Sequence, residues 1–262
     1  MSQEPIAVWL TPNPVFHAFH SPLLNYLSMS GSIAHWEYLQ SQDEGSSLEN
    51  ALPCLQDYLN TVSNPVHLIG HGLGGWLGLR YTRQYPEQVK SLTLLGVGVD
   101  PALEWQAYYY SLFKQLRCPK NLILEQMVYS LFGEQNKTMT RYLLTVLRRD
   151  LMSSPSPHSL YQQISGDEGE VNVPLLVCGS ENDSIVPPTA LQGWKKYLHS
   201  HQNIWLIRSG YHFFHYFYPQ CVGLKILEFW DSHQISDRDN HFQERANDGT
   251  RTHEWRNHNP LP

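Results

Sequence analysis

The chain has 262 residues, of which 41% are hydrophobic and 16% are charged, a balance typical of one large folded domain. Its net charge of −6 offers no basic surface to the phosphates of a nucleic acid, so we expect no nucleic-acid partner. Residues 1–20 lack the regions of a signal peptide, and no apolar stretch is long enough to cross a membrane. We therefore expect a soluble, cytoplasmic protein without a membrane span.

Short apolar runs alternate with amphipathic segments in the first part of the sequence. The apolar runs predict buried strands, whereas apolar residues spaced three and four positions apart predict helices. Strands are predicted at residues 5–10, 33–39, 65–70 and 89–97. Helices are predicted between them, at residues 16–27, 48–59 and 76–85.

The middle of the chain has a different pattern, because only helices are predicted there, at residues 105–116, 121–132 and 138–152. Strands return at residues 173–178 and 204–207, with helices at 191–198 and 221–230. This order predicts an α/β fold with a mostly parallel central sheet flanked by helices. Residues 1–99 and 171–233 would form the core, and residues 100–170 would form a helical lid. Residues 234–262 are polar and charged, and we predict that this tail is disordered.

The segment at residues 65–75, PVHLIGHGLGG, predicts a strand, a glycine-rich turn and the start of a helix. It resembles the nucleophile elbow of the α/β hydrolases, in which Gly-x-Ser-x-Gly holds a serine in a strained turn above the sheet. Gly72 stands at the position of that serine. The resemblance therefore implies a chain without a side chain at the nucleophile position.

Two further segments resemble the motifs that present the acid and the histidine of the α/β-hydrolase triad, in the order that the family uses. Residues 173–187, VPLLVCGSENDSIVP, contain Asp183 at the position of the acid. Residues 209–215, SGYHFFH, contain His212 at the position of the histidine, which His215 does not match. The resemblance extends over residues 5–231 and implies the α/β-hydrolase fold with a lid insertion.

The oxyanion hole is a second departure from the family pattern. After the first strand, family members usually have His-Gly, whereas this chain has Thr11 and Pro12, and proline has no N–H to donate. The resemblance leaves the backbone N–H of Leu73 as an oxyanion donor, beside the remnant pair Asp183 and His212. Because the nucleophile and one oxyanion donor are missing, we predict that this chain does not hydrolyse substrates through a serine.

Two functions fit these residues. The first is a non-hydrolytic homologue that binds a small apolar or amphipathic ligand, or a protein partner, between lid and sheet. The second is a serine-independent enzyme, hydrolase-like or lyase-like, in which Asp183 orients His212 as a general base on a small apolar substrate. Aromatic side chains are the candidate ligand contacts: Trp105, Tyr109, Phe113 and Phe213.

A dinucleotide-binding motif is a rival interpretation of this turn, because Gly70, Gly72 and Gly75 also satisfy Gly-x-Gly-x-x-Gly. That motif needs an acidic residue about 20 positions later, and the next strand has none before Asp100. His71 is predicted to pack beneath the turn. The four cysteines have no metal-binding spacing, so we predict no cofactor, no metal and no disulfide framework.

Overall fold

Six strands form the central sheet of the protein in the computed structural model. They are β1 (Ala7–Thr11), β2 (Ile33–Glu37), β3 (Val66–His71), β4 (Val89–Leu95), β5 (Leu175–Ser180) and β6 (Ile204–Ile207). Adjacent strands are parallel and lie in the order β2-β1-β3-β4-β5-β6. The predicted α/β fold with a parallel central sheet is confirmed.

Helices connect the strands and flank the sheet. They are α1 (His17–Leu27), α2 (Ala51–Leu59), α3 (Leu73–Gln84), α4 (Trp105–Gln115), α5 (Lys120–Phe132), α6 (Lys137–Ser153), α7 (Pro188–Leu191), α8 (Phe214–Phe217) and α9 (Pro219–Asp248). The helix predicted at residues 191–198 is instead the end of α7 followed by a 3-10 helix at Gln192–Tyr197. Pro188 begins α7 because its fixed φ suits the first helical position.

The structure describes residues 4–41, 43, 45–116, 118–162, 164, 169–198 and 204–248, and for residues 234–248 it describes the backbone alone. That backbone is helical, as the continuation of α9, where the sequence predicted a disordered tail. An existing helix extends at little cost, since each added residue gains a hydrogen bond. The rest of the predicted tail, residues 249–262, lies outside the described residues. None of the described helices is long and apolar enough to cross a membrane.

Both faces of the sheet are buried, as the side chains of β1 illustrate. Ala7 and Trp9 belong to a hydrophobic cluster with residues of α1 and α9. Val8 and Leu10 belong to a second cluster, which includes residues of α2, α3 and the helices α4, α5 and α6. Successive strand residues point to opposite faces, so helices on both sides explain why the strand is an unbroken apolar run.

The helices α4, α5 and α6 lie between β4 and β5 in the sequence, where the insertion was predicted. Asn13, just after β1, donates its side-chain amide to Asp150 Oδ1 at 2.8 Å and to Ser153 Oγ at 3.1 Å, near the end of α6. These bonds hold the end of α6 beside the carboxyl end of β1. In parallel α/β sheets, the carboxyl ends of the strands form the usual ligand-binding edge.

Close packing at the turn after β3 gives a test of the fold. A Cβ at Gly70 would overlap the carbonyl group of Gly74 and the amide nitrogen of Gly75. We expect Gly70→Ala to lower the free energy of unfolding by about 1–3 kcal/mol or more, because backbone atoms have nowhere to move. Gly45→Ala is the matched control, since a Cβ there meets nothing within 4 Å, and it should change stability by less than about 0.5 kcal/mol. Urea unfolding of the two variants and the wild type measures these changes in stability. Equal unfolding midpoints for Gly70→Ala and Gly45→Ala would contradict the described packing.

Candidate functional site

Gly72 forms the turn between β3 and α3. Its φ of 51° and ψ of −120° lie in a region that L side chains rarely adopt. The turn is fixed on both sides, because the Gly72 amide donates to the carbonyl of Leu95 at 3.1 Å and its carbonyl accepts from the amide of Trp76 at 3.1 Å. A Cβ at Gly74 would overlap the carbonyl oxygen of Leu10, so α3 approaches β1 through bare backbone.

Asp183 and His212 form a buried pair that faces this turn. Asp183 Oδ1 accepts from the amides of Ile185 at 2.8 Å and Val186 at 3.1 Å, and its Oδ2 accepts from His212 Nδ1 at 2.9 Å. The hydrogen on Nδ1 leaves Nε2 of a neutral ring with its lone pair free. That Nε2 lies 3.8 Å from the point where a Cβ would stand at Gly72.

The loop that carries His212 is held in an unusual backbone conformation. Gly210 has a φ of 121°, and Tyr211 is the one non-glycine residue with positive φ within the described parts of the chain, at 56°. Asn182 Oδ1 accepts from the Tyr211 amide at 2.9 Å, which ties this loop to the Asp183 loop. A positive φ at a residue such as Tyr211 costs about 1–3 kcal/mol, so it persists only where surrounding contacts hold the backbone. These contacts fix the position of His212.

A cavity of about 50 Å³ lies over the turn, with room for a few water molecules. It is lined by the end of β1, the turn after β3, the histidine loop and the ends of α4 and α6. The lining residues are Leu10, Thr11, Pro12, Asn13, Phe16, His20, His71, Gly72, Leu73, Gly74, Glu104, Trp105, Asp150, Ser154, His212 and Phe213.

The predicted ligand contacts divide into two groups. Trp105 and Phe213 line the cavity, as does Leu73, whose amide at the first position of α3 has no acceptor within the helix. Within the described residues, Tyr109 and Phe113 do not line it, and their rings stack on each other with centroids 6.3 Å apart. Only the beginning of α4 reaches the cavity, so side chains one and two turns further along pack among the helices.

The comparisons with known proteins agree with the fold described above. The sequence model of the α/β-hydrolase fold matches residues 61–117. The crystal structure of a putative lipase from Acinetobacter baumannii AYE superposes with a TM-score of 0.62 over 90% of this chain and 86% of that chain, at 18% identity. The chain has the α/β-hydrolase fold. The resemblance inferred from the three motifs is thereby confirmed at the level of the fold.

Two cyanobacterial relatives belong to one family with this α/β-hydrolase-fold chain. The uncharacterized protein alr2406 of Nostoc sp. (strain PCC 7120) is 40% identical over 257 residues, which cover 98% of this chain and all of the relative. The uncharacterized protein sll0249 of Synechocystis sp. (strain PCC 6803) is 40% identical over 234 residues, which cover 89% of this chain and 93% of the relative. The similarity to these two relatives therefore covers nearly the whole of each chain.

Asp150, at the end of α6, is a buried carboxylate that the sequence analysis missed. Its Oδ2 accepts from Trp105 Nε1 at 2.9 Å and from Gln106 Nε2 at 2.8 Å, and its Oδ1 accepts from Asn13. Burial raises the pKa of Asp150 to about 6, although these three donors oppose the shift. It carries a negative charge near neutral pH and lines the cavity.

Glu104 is a second buried acid that lines the cavity of this α/β-hydrolase-fold protein. Its Oε2 accepts from the Gln106 amide at 3.0 Å, which caps α4, and from Ser156 Oγ at 3.3 Å. Burial raises the pKa of Glu104 to about 8, and the neighbouring charge of Asp150 adds to the shift. At neutral pH the Glu104 carboxyl holds a proton, so it can donate a hydrogen bond.

A periodicity signal could have found one of these acids. Asp150 follows Leu143, Val146 and Leu147 on the buried side of α6, so it is an acid in an apolar helical register. Glu104 carries no such signal, because acidic residues are common near the start of a helix, where the helix dipole favours a negative charge.

Three further histidines surround His212. His71 donates its Nε2 hydrogen to the carbonyl of His212 at 3.0 Å, and His20 Nδ1 lies 3.0 Å from His215 Nε2. Burial lowers the pKa of His20 to about 3, and burial with neighbouring histidines holds the pKa of His71 and His215 well below the usual range. These rings are neutral at physiological pH. His71 braces the histidine loop through its bond to the backbone.

A second cavity of about 180 Å³ adjoins the first and shares Leu73 and Glu104 with it. Its lining is mostly apolar, with the side chains of Trp76, Arg80 and His158 adding polar atoms. Trp76 is buried, and among the described residues no acceptor bonds its Nε1. A buried donor without a partner costs about 1–3 kcal/mol.

The raised pKa of Glu104 gives a stability test of this site. The folded protein binds a proton that the unfolded chain releases above about pH 4.5, so stability falls as the pH rises from about 4.5 to about 8. A full shift of this size is worth roughly 5 kcal/mol. We expect Glu104→Gln to match the wild type at pH 5 and to be more stable than the wild type at pH 8.5. Urea midpoints across this range measure the difference, with the exposed Glu134→Gln as control. Parallel pH profiles for all three proteins would contradict the buried, protonated acid.

Proposed function

We propose that this protein binds a small amphipathic molecule in the two adjoining cavities and carries out no acyl transfer through a serine. One observation carries the proposal: the residue that faces His212 Nε2 from the elbow turn is Gly72, which has no side chain. We interpret Gly72 as the nucleophile position, and Asp183 and His212 as the remnant of a catalytic triad. The helices α4, α5 and α6 would form the lid over the site.

The loss of the nucleophile outweighs what the remaining groups can supply. In a serine protease, removal of the nucleophile lowers turnover by about 10⁶-fold, or roughly 8 kcal/mol of transition-state stabilisation. The position of Pro12 in the lining supports a second loss, because proline cannot donate to an oxyanion. Glycine also relieves strain of about 1–3 kcal/mol that a serine would carry in this turn. The substitution therefore favours stability over hydrolysis.

The chemistry of the lining indicates the ligand. Trp76 lines the second cavity with an indole whose buried N–H has no partner among the described residues, and protonated Glu104 carries a hydroxyl hydrogen. The second cavity also contains the guanidinium of Arg80, which pairs with Glu49 at 2.7 Å. Donors set in an apolar lining favour a molecule with an acceptor oxygen on a short apolar body. We infer a small carboxylic acid or carbonyl compound.

Mass spectrometry of small molecules released from purified native protein tests this proposal. We expect a carboxylic acid or carbonyl compound near one equivalent per chain in the wild type, and a clear loss of it in Trp76→Phe, because the orphan donor is removed. Trp230→Phe is the matched control, since its buried Nε1 also lacks a partner among the described residues but its ring stacks on His67, away from both cavities. Equal retention in both variants, or no bound compound, would count against the ligand site.

A second function is supported by the intact geometry of the dyad. Asp183 is held by three hydrogen bonds, and its bond to His212 leaves Nε2 directed at the space over Gly72. A water molecule or substrate proton in that space could react with His212 as general base without a serine.

Incubation of the released compound with fresh protein separates the two functions. Turnover by the wild type that His212→Ala abolishes would replace the binding function with this enzymatic one.

A further inference from the structure

A cluster of two histidines and a glutamate lies at the edge of the sheet, outside both cavities. His35 and Glu37 lie two positions apart on β2, so their side chains leave the same face of this edge strand. His17 is the first residue of α1 and reaches the same place. The sequence analysis gave these residues no role, because the ligands are spread over two elements and show no compact motif.

The three side chains converge on the carboxylate. Glu37 Oε1 lies 3.6 Å from His35 Nδ1 and 3.7 Å from His17 Nδ1, and the two imidazole rings meet edge to face with centroids 4.5 Å apart. Ligand atoms about 2.0–2.2 Å from a tetrahedral zinc ion stand roughly 3.3 Å from one another. The observed spacings exceed this by a few tenths of an ångström, which rotation of partly exposed side chains can close.

A buried hydroxyl orients one of the rings. His35 Nε2 lies 2.8 Å from Oγ1 of Thr11, the residue of β1 that is paired with Glu37 in the sheet. Metal-binding histidines usually bond their other ring nitrogen to a neighbouring polar group, which fixes the ring and the tautomer. Thr11 supplies such a bond and leaves His35 Nδ1 directed toward the carboxylate.

The side chains are also accessible to an ion from solvent, with exposed fractions of 52% for His17, 34% for Glu37 and 20% for His35. The buried trio His20, His71 and His215 offers a comparable set of nitrogens. However, His20 Nδ1 and His215 Nε2 already bond to each other and His71 Nε2 bonds to the carbonyl of His212, and all three rings lie in the interior of the protein. The edge cluster is therefore the better candidate.

We propose that His17, His35 and Glu37 bind one divalent transition-metal ion, zinc by preference, and that the ion joins the start of α1 to edge strand β2. Two imidazoles and one carboxylate are a donor set that zinc accepts in proteins, with the remaining position open to water. An ion that binds only the folded chain stabilises it by mass action. The site is separate from the cavities, so its failure would leave the proposed ligand-binding function untouched.

Isothermal titration of the full chain with zinc chloride, after dialysis against chelator, tests this site. We expect His17→Gln, His35→Gln and Glu37→Gln each to weaken one binding step at least about tenfold, since even the loss of an outer partner costs that much. Zinc should raise the melting temperature of the wild type more than that of any of the three variants. His233→Gln, which removes a partly exposed histidine on α9, is the matched control and should bind as the wild type does.

Wild-type affinity and stoichiometry in all three variants would overturn the proposal, because zinc would then bind elsewhere in the chain. An absence of zinc binding by the wild type would overturn it as well, and the cluster would then be a set of contacts between two imidazole rings and a carboxylate. His17→Gln and Glu37→Gln change partly exposed side chains and should leave the fold intact. They therefore still test the site if His35→Gln fails to fold.

Discussion

The close approach of α3 to β1 and β3 is the constraint on which the rest of the site depends. Glycines at the turn bring backbone against backbone, and a Cβ at Gly70 or Gly74 would overlap main-chain atoms. With α3 packed this closely, the turn before it has a positive φ at Gly72, and the start of α3 lines the cavity. The Asp183 and His212 loops then meet at that edge, because both follow neighbouring parallel strands.

The electrostatics of the site depend on the same exclusion of water. Burial keeps three histidines neutral and a proton on Glu104, while three donors hold Asp150 as a carboxylate near neutral pH. Pairs of titratable groups whose surroundings drive their pKa values apart are a feature of functional sites. A small cavity lined by such buried polar groups is typical of sites that recognise a ligand.

Much of the fold could be predicted from the sequence, since buried strands are continuous apolar runs and each motif is local. Asp183 and His212 could be singled out because each follows a strand in a recognisable segment, and the structure brings the two side chains together. Asp150 was missed because its role arises from contacts with Asn13 and Trp105, which are far away in the sequence. Tyr109 and Phe113 were assigned to the pocket from composition, and only the orientation of α4 places them outside its lining.

The central claim is that Gly72 occupies a nucleophile position in front of a preserved dyad. Intact-mass analysis after treatment with a fluorophosphonate tests this claim most directly, because the reagent marks a hydroxyl that a neighbouring histidine activates. We predict no adduct on the wild type, one adduct on Gly72→Ser, and none on Gly72→Ser combined with His212→Ala. A stoichiometric adduct on the wild type, or a folded Gly72→Ser variant that stays unmodified, would contradict it.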